Sequence, residues 1–353
     1  MKILFIVNEL LYTCGVSNHV YNLLYGIKEH KNIEIIILCG GGNAIDKYRK
    51  LGYKVIVEKE IRHEGRSVLK YIIGLMKLYK IIKKHQIDIV HSHHHYAANM
   101  ADKTARFCGI KTVMTNHALL PDIGRLSHFA ANYVIVLNNY IFDQIKAKKI
   151  INPKNIRMIR NGIFETTEVK KIFHKKLNIL VASRLVSGKG IELYINAVIR
   201  LPQSIQNKAN FLLAGTGEKE NFLLSEINKY KAPIRFLGNI DDLRNKLNEI
   251  DIFIIPSLSE ALPMTLIEAS FATCLVIISR LPWLDEIFEE NVDGLVFENG
   301  NVESLRERLE DCINNFERIL PEAKHFHDRA LNLFSLKTMV LKTIQVYKEC
   351  LTK

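Results

Sequence analysis

Four charged residues in the second half of the chain have the types and spacing to grip a polyanion. Arg184 and Lys189 lie five residues apart around a glycine-containing turn, just beyond the apolar run Ile179–Ser183. Two cations there neutralise a diphosphate without a metal ion, and the guanidinium can hold two oxygens at once. The same spacing also suits an ordinary solvated basic loop. The run Pro256-Ser-Leu-Ser-Glu-Ala-Leu-Pro-Met-Thr-Leu-Ile-Glu-Ala269 is more specific. It follows the apolar segment Ile252–Ile255, reaches Glu260 and begins a helix near Pro263. Proline in a first turn is a start signal, and the free N–H groups of that turn suit a phosphate. Glu268 falls about one turn inside the helix. Carboxylates on both sides of a phosphate-binding helix end can accept hydrogen bonds from hydroxyls on both sides of a diphosphate, a sugar on one and a ribose on the other.

The familiar phosphate and metal fingerprints fail. Ser187-Gly188-Lys189-Gly190 resembles the end of a P-loop, but Ser183 stands where its first glycine belongs and Gly190 where a Mg²⁺-binding hydroxyl belongs. Gly215-Thr216-Gly217 follows a strand-like run, but Glu220 replaces the third glycine of a dinucleotide fingerprint. No Asp-x-Asp and no His-Glu-x-x-His occurs, so the reading holds no metal and no cofactor. His91, His93, His94 and His95 invite a zinc reading, because alternate residues of a strand share a face and imidazole is the commonest zinc ligand. No carboxylate or cysteine accompanies them in sequence, and a turn lining a cleft is the favoured reading.

These residues need a scaffold, and the rest of the chain describes one. At 353 residues, 48% hydrophobic and 24% charged, the chain is an ordinary globular one of about two domains. No apolar run approaches the ~20 residues that span a bilayer, and Met1–Val7 enters a strand pattern directly, so a cytoplasmic protein is expected. Six scattered cysteines without a C-x-x-C pair point to reduced thiols. Short apolar runs alternate with helical stretches: Ile3–Val7, Ile33–Leu38, Val55–Val57, Ile87–His91, Lys111–Thr115, Tyr133–Leu137 and Ile156–Ile159, then Ile179–Ser183, Phe211–Ala214, Ile234–Leu237, Ile252–Ile255, Leu275–Ser279 and Leu295–Phe297. That pattern predicts an α/β fold with two doubly wound Rossmann-like domains facing across a cleft. The polar stretch within Asn161–Lys176 marks the break.

The charge is uneven. Residues 1–170 hold 26 of the 49 Lys and Arg but only 13 of the 37 Asp and Glu, so the whole net charge of +12 lies in the first half. A basic half expects an anionic partner. Nucleic acid is disfavoured, since no helix-turn-helix, zinc-finger or aromatic RNA-binding motif accompanies it. Val68–His85 reads as a basic helix with Lys70, Lys77 and Lys84 along one stripe. Leu69, Ile72, Ile73 and Met76 form another stripe, expected to pack on the sheet. With Arg62 and Arg66 before it, the lysine face could meet anionic lipid or a polyprenyl-phosphate acceptor.

In the order and spacing of these pieces the sequence resembles the retaining, metal-independent glycosyltransferases of family four, of GT-B fold and bacterial cell-surface glycan type. The resemblance runs over nearly the whole chain: Met1–Val7 with Cys14-Gly15-Val16, Asp88-Ile-Val-His-Ser-His93, Thr115-Asn116-His117, Asn161-Gly162-Ile163, Ser183-Arg184-Leu185 with Lys189-Gly190, Ala214-Gly-Thr-Gly217, Phe236-Leu-Gly238, and Glu260 to Glu268 as the E-x7-E motif. It implies that Arg184 and Lys189 hold the donor diphosphate, Glu260 orients the transferred sugar and Glu268 binds the ribose. Backbone from Leu262 through Pro263 and Met264 to Thr265 would meet phosphates and sugar, Gly15 would let the first loop approach the donor, and Asn239 and Ile240 would contact the base. His117 would stand beside the donor sugar, making His117, Glu260, Arg184 and Lys189 the catalytic set. It departs from the family at Cys14, where a glycine is usual, at Ala261, and at Arg280-Leu-Pro-Trp-Leu-Asp285 in place of a glycine-rich turn.

Taken together, residues 1–168 are expected to bind the acceptor, with helix ~336–353 returning to pack on them, and residues 169–335 to bind the nucleotide-sugar donor. The expected activity is retaining transfer of a hexose or N-acetylhexosamine, from a UDP-sugar in first place, to a lipid-linked or polysaccharide-precursor acceptor. The expected setting is cytoplasmic and peripheral at the inner face of the cell membrane. A soluble small acceptor, or a noncatalytic nucleotide-sugar-binding component of a larger transferase, are the alternatives.

Overall fold

The structure is a computed structural model and describes residues 1–65, 67–119, 131–149, 151–164 and 176–352. The polar run 165–175, where the domain boundary was expected, and Arg66 lie outside the described residues. The chain divides into two compact units, Met1–Gly162 with Leu336–Lys353, and Ile163–Ser335.

In the first unit, strands β1 (Lys2–Val7), β2 (Glu34–Cys39), β3 (Lys54–Val57), β4 (Ile89–Ser92), β5 (Lys111–Thr115), β6 (Tyr133–Val136) and β7 (Ile156–Met158) form one sheet in the order β3-β2-β1-β4-β5-β6-β7. All its pairings are parallel, with Phe5 opposite Ile37 on one side and His91 on the other. Parallel strands carry helices on both faces, so central strands read as nearly unbroken apolar runs. Ile3, Phe5 and Val7 of β1 face one layer and Leu4 and Ile6 the other. Helices α1 (Gly15–Ile27), α2 (Ile45–Lys50), α3 (Val68–His85), α4 (His95–Cys108) and α5 (Asn139–Ala147) connect the strands.

In the second unit, β8 (Leu177–Ala182), β9 (Ala209–Ala214), β10 (Ile234–Phe236), β11 (Ile252–Ile255), β12 (Leu275–Ser279) and β13 (Gly294–Phe297) pair in the order β10-β9-β8-β11-β12-β13, again all parallel. Its helices are α6 (Ile191–Arg200), α7 (Gln203–Gln206), α8 (Glu220–Lys229), α9 (Leu243–Leu247), α10 (Met264–Phe271), α11 (Val302–Asn314) and α12 (Phe316–Leu333). The last helix, α13 (Leu336–Thr352), belongs to the first unit. Val340 of α13 occupies the space a side chain at Gly26 would need, Tyr347 is fully buried, and Glu349 binds Arg157 at 2.6 Å. Both strand orders reverse direction once, between β1 and β4 and between β8 and β11. In open sheets of this kind the loops beyond the carboxyl ends of those two strands form the ligand crevice.

The apolar stripe predicted to seat α3 is the exposed one. Leu69, Ile72 and Met76 are 67%, 47% and 52% exposed, and the helix packs instead through Gly74, Leu78, Ile81 and Ile82. Gly74 sets that rotation, since a Cβ there would meet the Met100 sulfur at 2.9 Å. The basic stripe is also less free than expected. Lys77 binds Glu58 at 2.6 Å and Glu60 at 2.8 Å, Arg62 pairs with Glu9, and the Lys70 ammonium donates to the Gly65 carbonyl at 2.7 Å. Lys84 remains exposed. Among the described residues no helix is long and apolar enough to cross a membrane.

Candidate functional site

In the second unit the loops beyond β8 and β11 are stitched together at the switch point. Gly190 adopts φ +65°, and a Cβ there would fall 1.9 Å from the Pro256 carbonyl, so only glycine lets the two loops come this close. The Leu258 N–H donates to the Gly188 carbonyl at 2.9 Å across the same seam. This approach delivers Lys189 to Glu260: the ammonium and carboxylate form an ion pair, both side chains more than four-fifths enclosed. Ser257, also buried, donates to the same carboxylate oxygen at 3.4 Å. Arg184 projects from the loop, exposed and without an ion pair among the described residues.

The backbone of Glu260 is fixed from behind. Trp283, the chain's single tryptophan and fully buried, donates its indole N–H to the Glu260 carbonyl at 2.5 Å. The Ser279 hydroxyl holds the Ser257 carbonyl at 2.5 Å. The chain then turns into α10, with Pro263 as its N-cap and Leu262, Pro263 and Met264 buried beside half-buried Thr265. The first-turn N–H groups of such a helix have no partner within it and carry the positive end of its dipole. Glu268, one turn in, is buried, with its carboxylate 3.8 Å from Arg244 of α9, whose guanidinium lies over the Phe164 ring. Beyond β10, exposed Asn239 binds Asp241 at 2.7 Å and Ile240 is half-buried. The Gly215 N–H ties this loop to the one beyond β9 by donating to Gly238 at 2.7 Å.

In the first unit, Gly15 is the exposed first residue of α1, and His117 follows β5. His117 does not stand alone. Its Nε2 is 3.0 Å from Nδ1 of His93, which follows β4, and its ring meets that of His19 on α1 edge-on with centroids 4.6 Å apart. Burial holds His19 down to about 4, with the nearby Asn161 amide opposing in part. Burial, then the neighbouring rings, holds His93 and His117 well below the usual histidine value. All three are therefore neutral at physiological pH. His91 is spent elsewhere, bound to the Tyr347 hydroxyl at 2.6 Å and to Thr115 at 2.8 Å. The zinc reading of alternate residues along the histidine run therefore fails: β4 ends at Ser92, and His95 already belongs to α4.

The fold thus gathers Arg184, Lys189, Glu260, Leu262–Thr265 and Glu268 in the second unit, and His117 and Gly15 in the first. Sequence reasoning missed His19, Ser257, Trp283 and Arg244. His19 carried a signal, a histidine one turn past Gly15 on the inward face of a helix; Arg244 carried none.

The chain is similar to known proteins over nearly its whole length. A model described as Glycosyltransferase Family 4 matches residues 13–165, and one described as Glycosyl transferases group 1 matches residues 163–330. The chain is 27% identical to a subunit of the human phosphatidylinositol N-acetylglucosaminyltransferase, over 94% of this chain and 72% of that one. It is 24% identical to the Campylobacter jejuni N,N'-diacetylbacillosaminyl-diphospho-undecaprenol alpha-1,3-N-acetylgalactosaminyltransferase, over 88% and 89%. Among solved structures it resembles Anabaena Alr3699/HepE in complex with UDP-glucose, with a TM-score of 0.85 at 16% identity over 99% of this chain and 100% of that one. It also resembles a Rickettsia africae glycosyltransferase, with a TM-score of 0.80 at 21% identity over 100% and 99%.

Proposed function

The chain belongs to the family 4 glycosyltransferases of GT-B fold, and from that premise we propose that it transfers a hexose or N-acetylhexosamine, with retained anomeric configuration, from a nucleotide-diphosphate sugar to a lipid-linked or polysaccharide-precursor acceptor. One observation carries this reading: Lys189 and Glu260 are paired at the head of α10, with Arg184 unpaired nearby and Glu268 buried one turn into the helix. On donor binding, the Lys189 ammonium leaves the carboxylate for the diphosphate, joined by Arg184 and the first-turn N–H groups. Glu260, released, accepts from the hydroxyls of the sugar, and Glu268 from those of the ribose. Asn239 and Ile240 meet the base, and Gly15 and His117 serve the sugar from the first unit. As the glycosidic bond breaks, negative charge grows on the leaving diphosphate, and fixed cations and N–H dipoles stabilise it there more than in the ground state. No protein nucleophile is invoked.

UDP-sugars are the first donors to test, since the similar Anabaena protein is known in complexes with UDP and with UDP-glucose. The lipid-linked acceptor draws support from the undecaprenol named for the Campylobacter relative. A thermal-shift screen of UDP-, GDP-, ADP- and dTDP-sugars without added metal tests the donor site. One nucleotide series at a hundredfold its Kd should stabilise the fold by about 2.7 kcal/mol, with the shift lost in Arg184→Ala and Glu268→Ala. No shift with any of them would sink the donor assignment. Donor hydrolysis without acceptor separates a catalyst from a noncatalytic binding protein.

The reading extends to peripheral attachment at the inner membrane face. Val68, Leu69, Ile72, Met76 and Tyr79 expose an apolar stripe along α3, and Lys80, Lys83 and Lys84 are exposed beside it. An apolar face edged by lysines suits the headgroup region of an anionic bilayer, each basic residue adding about 1 kcal/mol near the surface. The protein should sediment with anionic vesicles and not with neutral ones at low salt, and the double variant Ile72→Glu, Met76→Glu should stay in the supernatant. Equal sedimentation with both vesicle types would remove the attachment.

A further inference from the structure

We propose that His19, His93 and His117 form a binding site for a divalent transition-metal ion of the zinc class, held by three imidazole nitrogens with a fourth position open. Among the described residues, these three offer ligand atoms that all lie within 4.8 Å of one another. Three imidazoles without a thiolate suit Zn²⁺ and its neighbours Co²⁺, Ni²⁺ and Cu²⁺. With Zn–N at about 2.0–2.1 Å, two ligands of a tetrahedral ion stand about 3.3 Å apart. His93 Nδ1 and His117 Nε2 are already at 3.0 Å. From the outer limit of 4.8 Å, the His19 ring has to turn inward by at most about 1.5 Å to complete the set.

The second observation is a deficit of partners. Both ring nitrogens of His19 are buried with no hydrogen-bond partner of normal geometry, the Asn161 side chain lying nearby. Enclosed polar atoms in that condition are rare and costly in folded proteins. An ion would take up a lone pair of His19 and satisfy it together with those of His93 and His117. Each ring would hold its one proton on the nitrogen facing away from the metal: the proton now shared between His93 Nδ1 and His117 Nε2 shifts to the far nitrogen of its own ring, so coordination needs no net proton release. Burial already keeps the three rings neutral, as ligands must be.

The frame is stiff. His93 and His117 sit at the carboxyl ends of adjacent parallel strands, and His19 is on a helix that buries Val20, Leu23 and Leu24 against the same sheet. His93 is stacked on Phe5 and packed against His91, which is itself held at both nitrogens by Tyr347 and Thr115. If His117 serves the donor sugar as proposed above, an ion on its ring withdraws it, and zinc becomes an inhibitor of transfer. That consequence rests on the proposed function; the site itself does not.

The test is a titration of the metal-stripped full chain with Co²⁺. Visible ligand-field bands of a low-coordinate Co²⁺ should rise to saturation at one ion per chain and be displaced by Zn²⁺. Affinity should fall about 100-fold or more in His19→Gln and in His93→Gln, and stay unchanged in His30→Gln, a histidine of the loop after α1. X-ray absorption of the zinc-loaded wild type should count three imidazoles, an answer that does not depend on any variant folding. Absent bands, binding that persists undiminished in folded His19→Gln, or fewer than three imidazoles would overturn the site. Sugar transfer is not measured in any arm, so a failure here leaves the transfer reading standing, and the reverse.

Discussion

Lys189→Ala is expected to lower kcat/KM for sugar transfer about a thousandfold, equivalent to about 4 kcal/mol of transition-state stabilisation. Lys189 is paired with Glu260, and on the proposed reading it leaves that carboxylate to meet the diphosphate when the donor binds. Its ammonium is mostly enclosed, so its field on a leaving diphosphate is weakly screened. Removing it also leaves the Glu260 carboxylate enclosed with Ser257 as a hydrogen-bond donor. The loss should therefore appear in kcat as well as KM, because Glu260 would no longer be presented in one orientation. Lys189→Arg keeps the charge but replaces a compact ammonium by a planar fork, and should recover only part of the rate. A double-mutant cycle with Glu260→Gln isolates the pair: coupling above about 1 kcal/mol is expected for residues in direct contact. A fall of less than tenfold in Lys189→Ala would remove it from the chemistry.

Trp283→Ala should destabilise the second unit by about 3–5 kcal/mol, the range for emptying a fully buried large aromatic position. For a unit of this size each kcal/mol moves the melting midpoint by about 2–4 °C, so a drop near 10 °C is expected in the transition of Ile163–Ser335. Calorimetry reads this directly, since two units of one chain can melt separately. Trp283→Phe tells the packing from the hydrogen bond. It keeps an aromatic ring in the cavity but leaves the Glu260 carbonyl without its indole donor. Stability should fall by about 1–3 kcal/mol, and transfer should fall with it because the backbone carrying Glu260 is loosened. A Trp283→Phe protein with full activity would mean that the loop holds Glu260 without the indole.

The thirteen strands of the described residues were readable along the chain because burial on both faces demands unbroken apolar, β-branched runs of about five residues, and few other structures tolerate them. Their alternation with helices was enough for two doubly wound units. The residues proposed for the donor were readable for a related reason. Arg184, Lys189, Glu260 and Glu268 lie within two short segments, each fixed by local signals: a glycine turn after a strand, and a proline at a helix start. Local spacing could not say how those segments meet. Gly190 decides that, by letting its backbone lie against Pro256, sixty-six residues away in sequence.

What the tertiary structure alone decided are the contacts between residues far apart in the chain. His19, His93 and His117 come from three different elements and converge only because β1, β4 and β5 are neighbours in the sheet. The sequence reading of α3 named one apolar stripe, Leu69, Ile72, Ile73 and Met76, as the inward one, and close seating at Gly74 against Met100 chose Gly74, Leu78, Ile81 and Ile82 instead. Lys77 and Arg62 read as free cations until the fold brought Glu58, Glu60 and Glu9 to them. Local pattern, being a matter of which faces must avoid water, fixes elements and their ends. Which charges are cancelled, which faces stay bare and which rings meet depends on packing between elements, and that is set by three-dimensional fit rather than by spacing along the chain.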